Sequence, residues 1–377
     1  MLNIDFYNQH NQPTLLTAPS FPLFGGAINL EKFVLDLRWG GSVNHFVFPN
    51  LITFELYAPQ MDELNASNLI HFLRASPTLR TVGVTIDGGT IPGSIPRDMV
   101  VVLPNVETFS LTVYRNTRDA YELAAHISCP RAKCASLVYQ IPNDNMMPGL
   151  ELFPDSASWV AITRQYTTSP IEEVTLEIDC YQLDAIIACS LTLRSSDATA
   201  IKSNLQVAYA DGEEEEEEPP MSCEMMNCQI FSQACRAIQG HPLLSHVKRL
   251  HFKDQTGDLG VDYVIPMAEV VRELFRSLGP LDELTIHGFD LRTFLASFID
   301  LPEFRHFERV FPSVKVLVIS EARMFDEQHC VDGIVELAKS HHQLGKPFER
   351  VTVRAREIPT AAERLRQWVG GADCHEL

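Results

Sequence analysis

One pattern of apolar and polar positions keeps returning along this chain: apolar-x-x-apolar-x-apolar. It occurs at Leu30/Phe33/Leu35, Leu51/Phe54/Leu56, Leu79/Val82/Val84 and Val106/Phe109/Leu111, with a weaker copy at Ala132/Ala135/Leu137. Further copies lie at Ile171/Val174/Leu176, Val247/Leu250/Phe252, Leu281/Leu284/Ile286, Val314/Leu317/Ile319 and Phe348/Val351/Val353. First positions 51, 79, 106 and 132 advance by 28, 27 and 26 residues, and 247, 281, 314 and 348 by 34, 33 and 34. Fixed periods of this size mark a repeat architecture. The last two apolar positions are two apart, so on a strand they face one side and the residue between them faces the other. Each strand then buries one side only and needs a neighbouring copy to complete its core. Stacked copies predict a parallel sheet, which requires a crossover between successive strands.

The crossovers read as helices. Met267, Val270, Val271, Leu274, Phe275 and Leu278 fall at offsets 0, 3, 4, 7, 8 and 11, the stripe of a helix packed on a sheet. Leu291, Phe294, Leu295 and Phe298 repeat that spacing, and Val331, Ile334, Val335 and Ala338 do so more weakly. Shorter helical segments are predicted from Ser67 (SNLIHFLRA) and from Arg118 (RDAYELAAHI). The expected fold is α/β, about ten irregular repeats with a parallel sheet on one face and helices on the other.

Between the two periods lies DGEEEEEEPP, Asp211 to Pro220. Like-charge repulsion and the absence of apolar residues make 209–222 an expected disordered acidic loop. It divides a first repeat subdomain, 26–208, from a second, 223–377, with 1–25 as an N-terminal tail or cap. Across 377 residues, 45% of them hydrophobic, a large core is possible, while a net charge of −19 argues against general affinity for nucleic acid. No apolar run approaches the roughly 20 residues that span a bilayer. MLNIDFYNQHNQ lacks the basic start and apolar stretch of a secretory signal, so a cytoplasmic or nuclear location without membrane contact is expected.

The nine cysteines include no Cys-x-x-Cys pair and read as free, mostly buried thiols. His126, Cys129 and Cys134 are the nearest approach to a metal cluster, but a fourth ligand is missing nearby, and packing accounts for them. His241, His246 and His251, five apart, suit neither a helix face nor alternate strand positions. No Gly-x-Ser-x-Gly elbow, phosphate loop, His-Glu-x-x-His helix, calcium loop or dinucleotide fingerprint occurs. The expectation is therefore a chain without cofactor, metal or enzymatic activity, with an unrecognised hydrolase as the remote alternative. His341 and His342, beside Gly345, are expected to end a helix, where a protonated imidazole suits the local dipole.

The outward strand positions supply the candidate site. Early copies place Glu55 and Tyr57 there among Thr53, Thr81, Thr85, Thr108, Ser110 and Thr112. Late copies place Arg249, His251, Lys253, His287, Arg350 and Arg354 there, with Glu283, Thr285 and Thr352. A solvated sheet face carries threonines and charges in any case. Alternatively it is a binding surface whose electropositive C-terminal half suits an acidic or phosphorylated protein segment, which the acidic run would shield in cis.

The periodic lattice resembles leucine-rich repeats, with the longer period expected when each connection carries a helix. A more specific likeness begins at FPLFGGAINLEKFVLDL, Phe21 to Leu37, followed by Trp39. This order, then NLIHFLRASPTLRTVGV, VVLPNVETFSL and CPRAKCASLVY, is similar to the region after the F-box in basidiomycete F-box proteins. The resemblance implies the substrate-recognition repeats of an SCF-type ubiquitin ligase component. A Skp-type adaptor would be a partner only if an F-box lies outside this chain, because the residues before Phe21 are too few to hold one. IPMAEVVRELFRSL, from Ile265, imitates the F-box consensus with one residue too many between Pro266 and Glu269, and its period makes it a repeat helix. The Asn or Cys usual after each strand is replaced by Pro59, Asp87, Tyr114, Phe289 and Ala322, so irregular turns are expected there. A stand-alone repeat scaffold with no ubiquitin link is the alternative.

Overall fold

The computed structural model describes residues 2–5, 30–36, 48–58, 66–87, 99–114, 117–141, 153, 156–181, 186–208, 223–239, 245–254, 264–288, 314–320, 327–354 and 363–375. The acidic run, the stretch 21–29 and the helix expected around 291–298 lie outside them. The chain is mixed α/β with mostly parallel strands, and it divides into two compact units. The first comprises Met1–Ser169 with Ser195–Ala208, and the second Pro170–Arg194 with Tyr209–Leu377.

In the first unit the strands are β1 (Leu2–Asp5), β2 (Lys32–Asp36), β3 (Thr53–Ala58), β4 (Thr81–Asp87), β6 (Thr108–Tyr114), β8 (Cys134–Ile141) and β11 (Ala200–Ala208). They lie side by side in that order, every pair parallel. A separate parallel pair joins β5 (Val101–Val102) to β7 (Ile127–Ser128). The register carries the repeat directly: Phe33, Phe54, Val82, Phe109, Ala135 and Ile201 form one row across the sheet. All six are wholly buried.

Helices cover that row. α1 (Ala66–Arg74) buries Leu69, Ile70, Phe72 and Leu73, and the Phe72 ring lies 4.5 Å from that of Phe54. α2 (Thr117–Ala125) places Tyr121 4.4 Å from Tyr139 of β8. α3 (Ser156–Tyr166) sets Tyr166 5.6 Å from Phe109. Fully burying side chains of this size stabilises by roughly 1.5–3 kcal/mol each, which makes the helix cover the main cohesive term of the unit.

The turn that leads into β11 is held by one carboxylate. Asp197 accepts hydrogen bonds from the Ser195 and Ser169 hydroxyls and from the Thr199 backbone N–H, and Ala198 adopts φ 67° beside it. These donors, Ser195 foremost, hold the Asp197 carboxyl down to a pKa of about 2.

In the second unit β9 (Ile171–Tyr181) is flanked by β10 (Ile186–Ser195) and β12 (Arg249–Asp254). The link from β9 to β10 is too short for a crossover, so that pair is antiparallel. From β9 onward β12, β13 (Glu283–His287), β14 (Val316–Ser320), β15 (Arg350–Arg354) and β16 (Ala372–His375) are parallel neighbours. Val174, Leu250, Leu284, Leu317 and Val351 form the buried row. Its cover comes from α4 (Cys223–Ile238), α5 (Val264–Ser277) and α6 (Glu327–Gln343). Phe252 lies between Phe231 of α4, at 5.9 Å, and Phe275 of α5, at 6.1 Å. α5 is the segment that imitates an F-box, and its Val271, Leu274 and Phe275, with Leu278 just beyond, are buried in this unit's core.

α6 ends in a Schellman motif: Gly345, at φ 72°, and Lys346 donate their N–H groups to the carbonyls of His342 and His341. His341 does not carry the expected charge. It is buried and stacked on Phe348 at 4.2 Å, and burial pushes its pKa down to about 4, so its neutral Nδ1–H donates to the Lys346 carbonyl.

Gly288 closes β13 at φ 74° and donates its N–H to the Ser320 carbonyl. A Cβ there would stand 1.8 Å from the Asp254 carbonyl oxygen. Gly288→Ala is therefore expected to destabilise the second unit by more than about 2 kcal/mol, combining left-handed strain with displacement of β12. Urea unfolding of the purified variant measures this, and an unchanged midpoint would contradict the assigned contact.

Candidate functional site

Because each strand turns one side to the helices, the intervening residues of each unit form an outward face. In the first unit the expected threonine rows are present: Thr53–Thr81–Thr108–Cys134 and Tyr57–Thr85–Thr112–Val138. Glu55 pairs with Lys32 of the neighbouring strand at 2.8 Å, and Tyr57 is 36% exposed. Glu55 and Tyr57 thus share one face, with Gly83 beside Glu55.

In the second unit three rows cross the outward face. They read Glu173–Arg249–Glu283–Val316–Arg350, then Thr175–His251–Thr285–Val318–Thr352, then Glu177–Lys253–His287–Ser320–Arg354. The structure brings all six candidate residues of this unit onto that face, but it also brings Glu173 and Glu177 beside them. Glu173 is 3.0 Å from Arg249 and 3.8 Å from Arg194. The β12 end of the face therefore alternates in sign, whereas Arg350 and Arg354 are exposed on β15, between the outward valines of β14 and β16, where Asp373 is in register with Thr352 and His375 with Arg354. His287 shares a 3.0 Å hydrogen bond with the Ser320 hydroxyl, and Thr352 is buried. Burial holds His251 below the usual imidazole range, with Glu173 and Glu283 opposing the shift. It is thus neutral at neutral pH and adds no charge to the face.

The edge at which the strands begin carries a second pattern, which the apolar spacing does not reveal. In the first unit Pro49, Pro77, Pro104 and Pro130 each occupy the second position of a turn closed by a backbone bond: Leu51 to Phe48, Leu79 to Ser76, Val106 to Leu103 and Ala132 to Cys129. Proline fixes φ where such a turn requires it. The following side chain links one copy to the one before: Thr78 Oγ1 donates to the Pro49 carbonyl at 2.8 Å, and Asn105 Nδ2 to the Pro77 carbonyl at 3.1 Å. A polar ladder thus precedes the strands, although the leucine-rich-repeat ladder after them is missing from the sequence.

Next to these turns the charges alternate from strand to strand. The first unit has Arg80, Glu107 and Lys133, with Glu107 4.0 Å from Arg80 and 2.6 Å from Lys133. The second has Glu172, Lys248, Asp282, Lys315 and Glu349, with pairs at 2.8 Å (Lys248–Glu172) and 2.9 Å (Lys315–Asp282). Hydrogen bonding to Lys133 and to Lys248 holds the Glu107 and Glu172 carboxyls below their ordinary values, and Asp282 raises Lys315. In the first unit this edge forms an open cleft of about 680 Å³ whose lining includes Glu31, Arg80, Asn105, Glu107 and Arg131.

The His126, Cys129 and Cys134 side chains diverge. His126 Nδ1 donates to the Met99 carbonyl at 3.0 Å, Cys129 is in the core with its thiol pushed up to about 12, and Cys134 faces outward. No group of three or more metal-ligating side chains occurs among the described residues, and no described helix is long and apolar enough to cross a membrane. Comparison with protein-family models, curated proteins and solved structures finds no match.

His251 gives a direct check on the electrostatics of the face. Its imidazole is expected to titrate below the ordinary value of about 6.5, so protonation opposes folding as pH falls below that value. NMR titration of the His251 ring measures this. A midpoint at or above the ordinary value would mean that Glu173 and Glu283 outweigh burial.

Proposed function

We propose that the chain is a non-enzymatic protein-interaction module, its two units built from irregular leucine-rich-repeat-like rungs of a solenoid. The observation that carries this is the one-sidedness of every ladder. Helices seal the Phe54 and Leu284 sides, leaving the opposite faces as continuous, in-register arrays of mostly polar side chains, with Val138, Val316 and Val318 among them. Such arrays offer extended surface rather than a deep enclosed pocket, which suits a polypeptide better than a small substrate.

On the second unit the partner segment lies across β14 and β15. Val316 and Val318 take its apolar side chain while Arg350 and Arg354 take acidic or phosphorylated groups. Arg249, paired with Glu173, contributes register rather than net attraction. The F-box likeness of the sequence extends this to a role: the module presents a captured protein to a ubiquitin ligase, with a Skp-type adaptor as partner only if an F-box lies outside this chain. A scaffold without adaptor would use the same face.

The test is charge reversal, Arg350→Glu with Arg354→Glu, in the full chain. Proteins recovered with the parent chain are expected to fall about tenfold or more in yield, since each like-charge contact opposes binding and slows encounter. Equal recovery by a folded variant would remove the face from the account. Enrichment of a Skp-type adaptor with both proteins supports the ligase role, and its absence leaves the stand-alone scaffold.

A further inference from the structure

The strand-start edge of the first unit holds two charges that its ion pairs do not use. The open cleft of about 680 Å³ runs across successive rungs rather than along one strand. Glu31 lines it just before β2, Ile52 before β3, Arg80 before β4, Asn105 and Glu107 before β6, and Arg131 before β8. Those strands are consecutive neighbours, so the cleft crosses four strand spacings. At about 4.8 Å each, they set its ends roughly 19 Å apart. In the middle the charges are engaged: Glu107 is 2.6 Å from Lys133 and 4.0 Å from Arg80. At the ends they are not. The exposed side chains of Glu31 and Arg131 have neither an ion-pair nor a hydrogen-bond partner among the described residues.

We infer that the cleft binds an extended segment of a partner protein that brings a basic side chain to Glu31 and an acidic one to Arg131, about six residues apart. An extended chain advances about 3.3 Å per residue, so six residues match the roughly 19 Å between the ends, and an even spacing puts both side chains on one face. The lining between the ends suits a peptide backbone. Thr78 Oγ1 and Asn105 Nδ2 donate to carbonyls of their own chain, which leaves the Thr78 oxygen and Asn105 Oδ1 as acceptors for incoming N–H groups. Arg80, whose one ion pair among the described residues is the 4.0 Å contact, offers guanidinium donors to incoming carbonyls. An amino acid or similar small zwitterion is too short to reach both ends. A polyanion such as RNA would meet Glu31 and Glu107, and Ile52 is the one apolar residue among the described lining. The site shares no residue with the proposed β14–β15 face, and either can fail without the other.

Fluorescence anisotropy tests this on the full chain at about 0.15 M salt, where screening limits the reach of distant charges to about 8 Å. The probes are labelled peptides with Lys and Glu, in either order, about six residues apart and joined by Ser, Thr and Asn. Peptides with two Lys or two Glu at that spacing, Lys–Glu peptides with the charges only about two residues apart, and a single-stranded RNA of mixed sequence are the comparisons. A widely spaced Lys–Glu peptide, in at least one order, is expected to bind at least about fivefold more tightly than every comparison probe. Glu31→Arg makes both ends positive and should switch the preference to the peptide with two Glu. Arg131→Glu makes both ends negative and should switch it to the peptide with two Lys. Both residues are exposed, so the thermal midpoint should not move, and Arg350→Glu with Arg354→Glu should leave the parent preference intact. If a reversal does not fold, Glu31→Gln with Arg131→Gln should abolish the preference instead. No measurable binding of any peptide, tighter binding of a like-charged, closely spaced or RNA probe by the parent chain, or the parent's preference in a folded end variant would overturn the assignment.

Discussion

A strand whose apolar residues all point one way cannot leave water by itself, and every other feature of this chain follows from that. Leu284 and Ile286 are wholly buried because β12 and β14 extend their row sideways and helices close it from above. Parallel neighbours need crossovers, so the connection between two strands also supplies their cover. Strand, helix and next strand are therefore one cohesive step, and no copy holds its core alone. A register slip of one residue would turn the buried row of β13 to solvent, which is why the apolar spacing is repeated so strictly.

The same constraint leaves one face and one edge of each unit open to chemistry. At the strand-start edge the alternating charges give each strand an opposite sign beside it. Exposed pairs of this kind are screened by water and salt, so they do little for cohesion. Their effect is on order: exchanging two strands would bring like charges together at Glu107 or Asp282. On the outward face such demands are weaker, and the residues vary from threonine rows in the first unit to arginines and valines in the second.

The inward half of the fold is legible in the sequence because burial acts at fixed spacing. Each described apolar position of the ten copies is buried apart from Leu30, which is half-buried. The predicted helices at Ser67, Arg118, Met267 and Val331 correspond to α1, α2, α5 and α6. What escapes is adjacency. Glu173 reaches Arg249 across 76 residues of sequence, and no local pattern announces that β9 is the neighbour of β12. The outward face therefore reads as more basic than it is. β10 does alternate, with Cys189, Leu191 and Leu193 buried between Ser190, Thr192 and Arg194, but it follows β9 too closely to fit either repeat period. α3 escapes for another reason, since Ser, Trp, Val, Ile, Thr and Tyr make up most of it and carry little helical preference of their own. α4 and α5 pack side by side, and no local pattern announces that pairing either.

The most direct test of the parallel, in-register arrangement is a cross-link. Thr285 and Val318 are opposite each other on the outward face of β13 and β14. Neighbouring strands are about 4.8 Å apart, within disulfide range. Thr285→Cys combined with Val318→Cys is predicted to oxidise to a disulfide identifiable by peptide mass mapping, while Thr285→Cys combined with Ser320→Cys is not. Efficient closure of the offset pair, or none by the aligned pair in the folded protein, would contradict the ladder and the recognition face built on it.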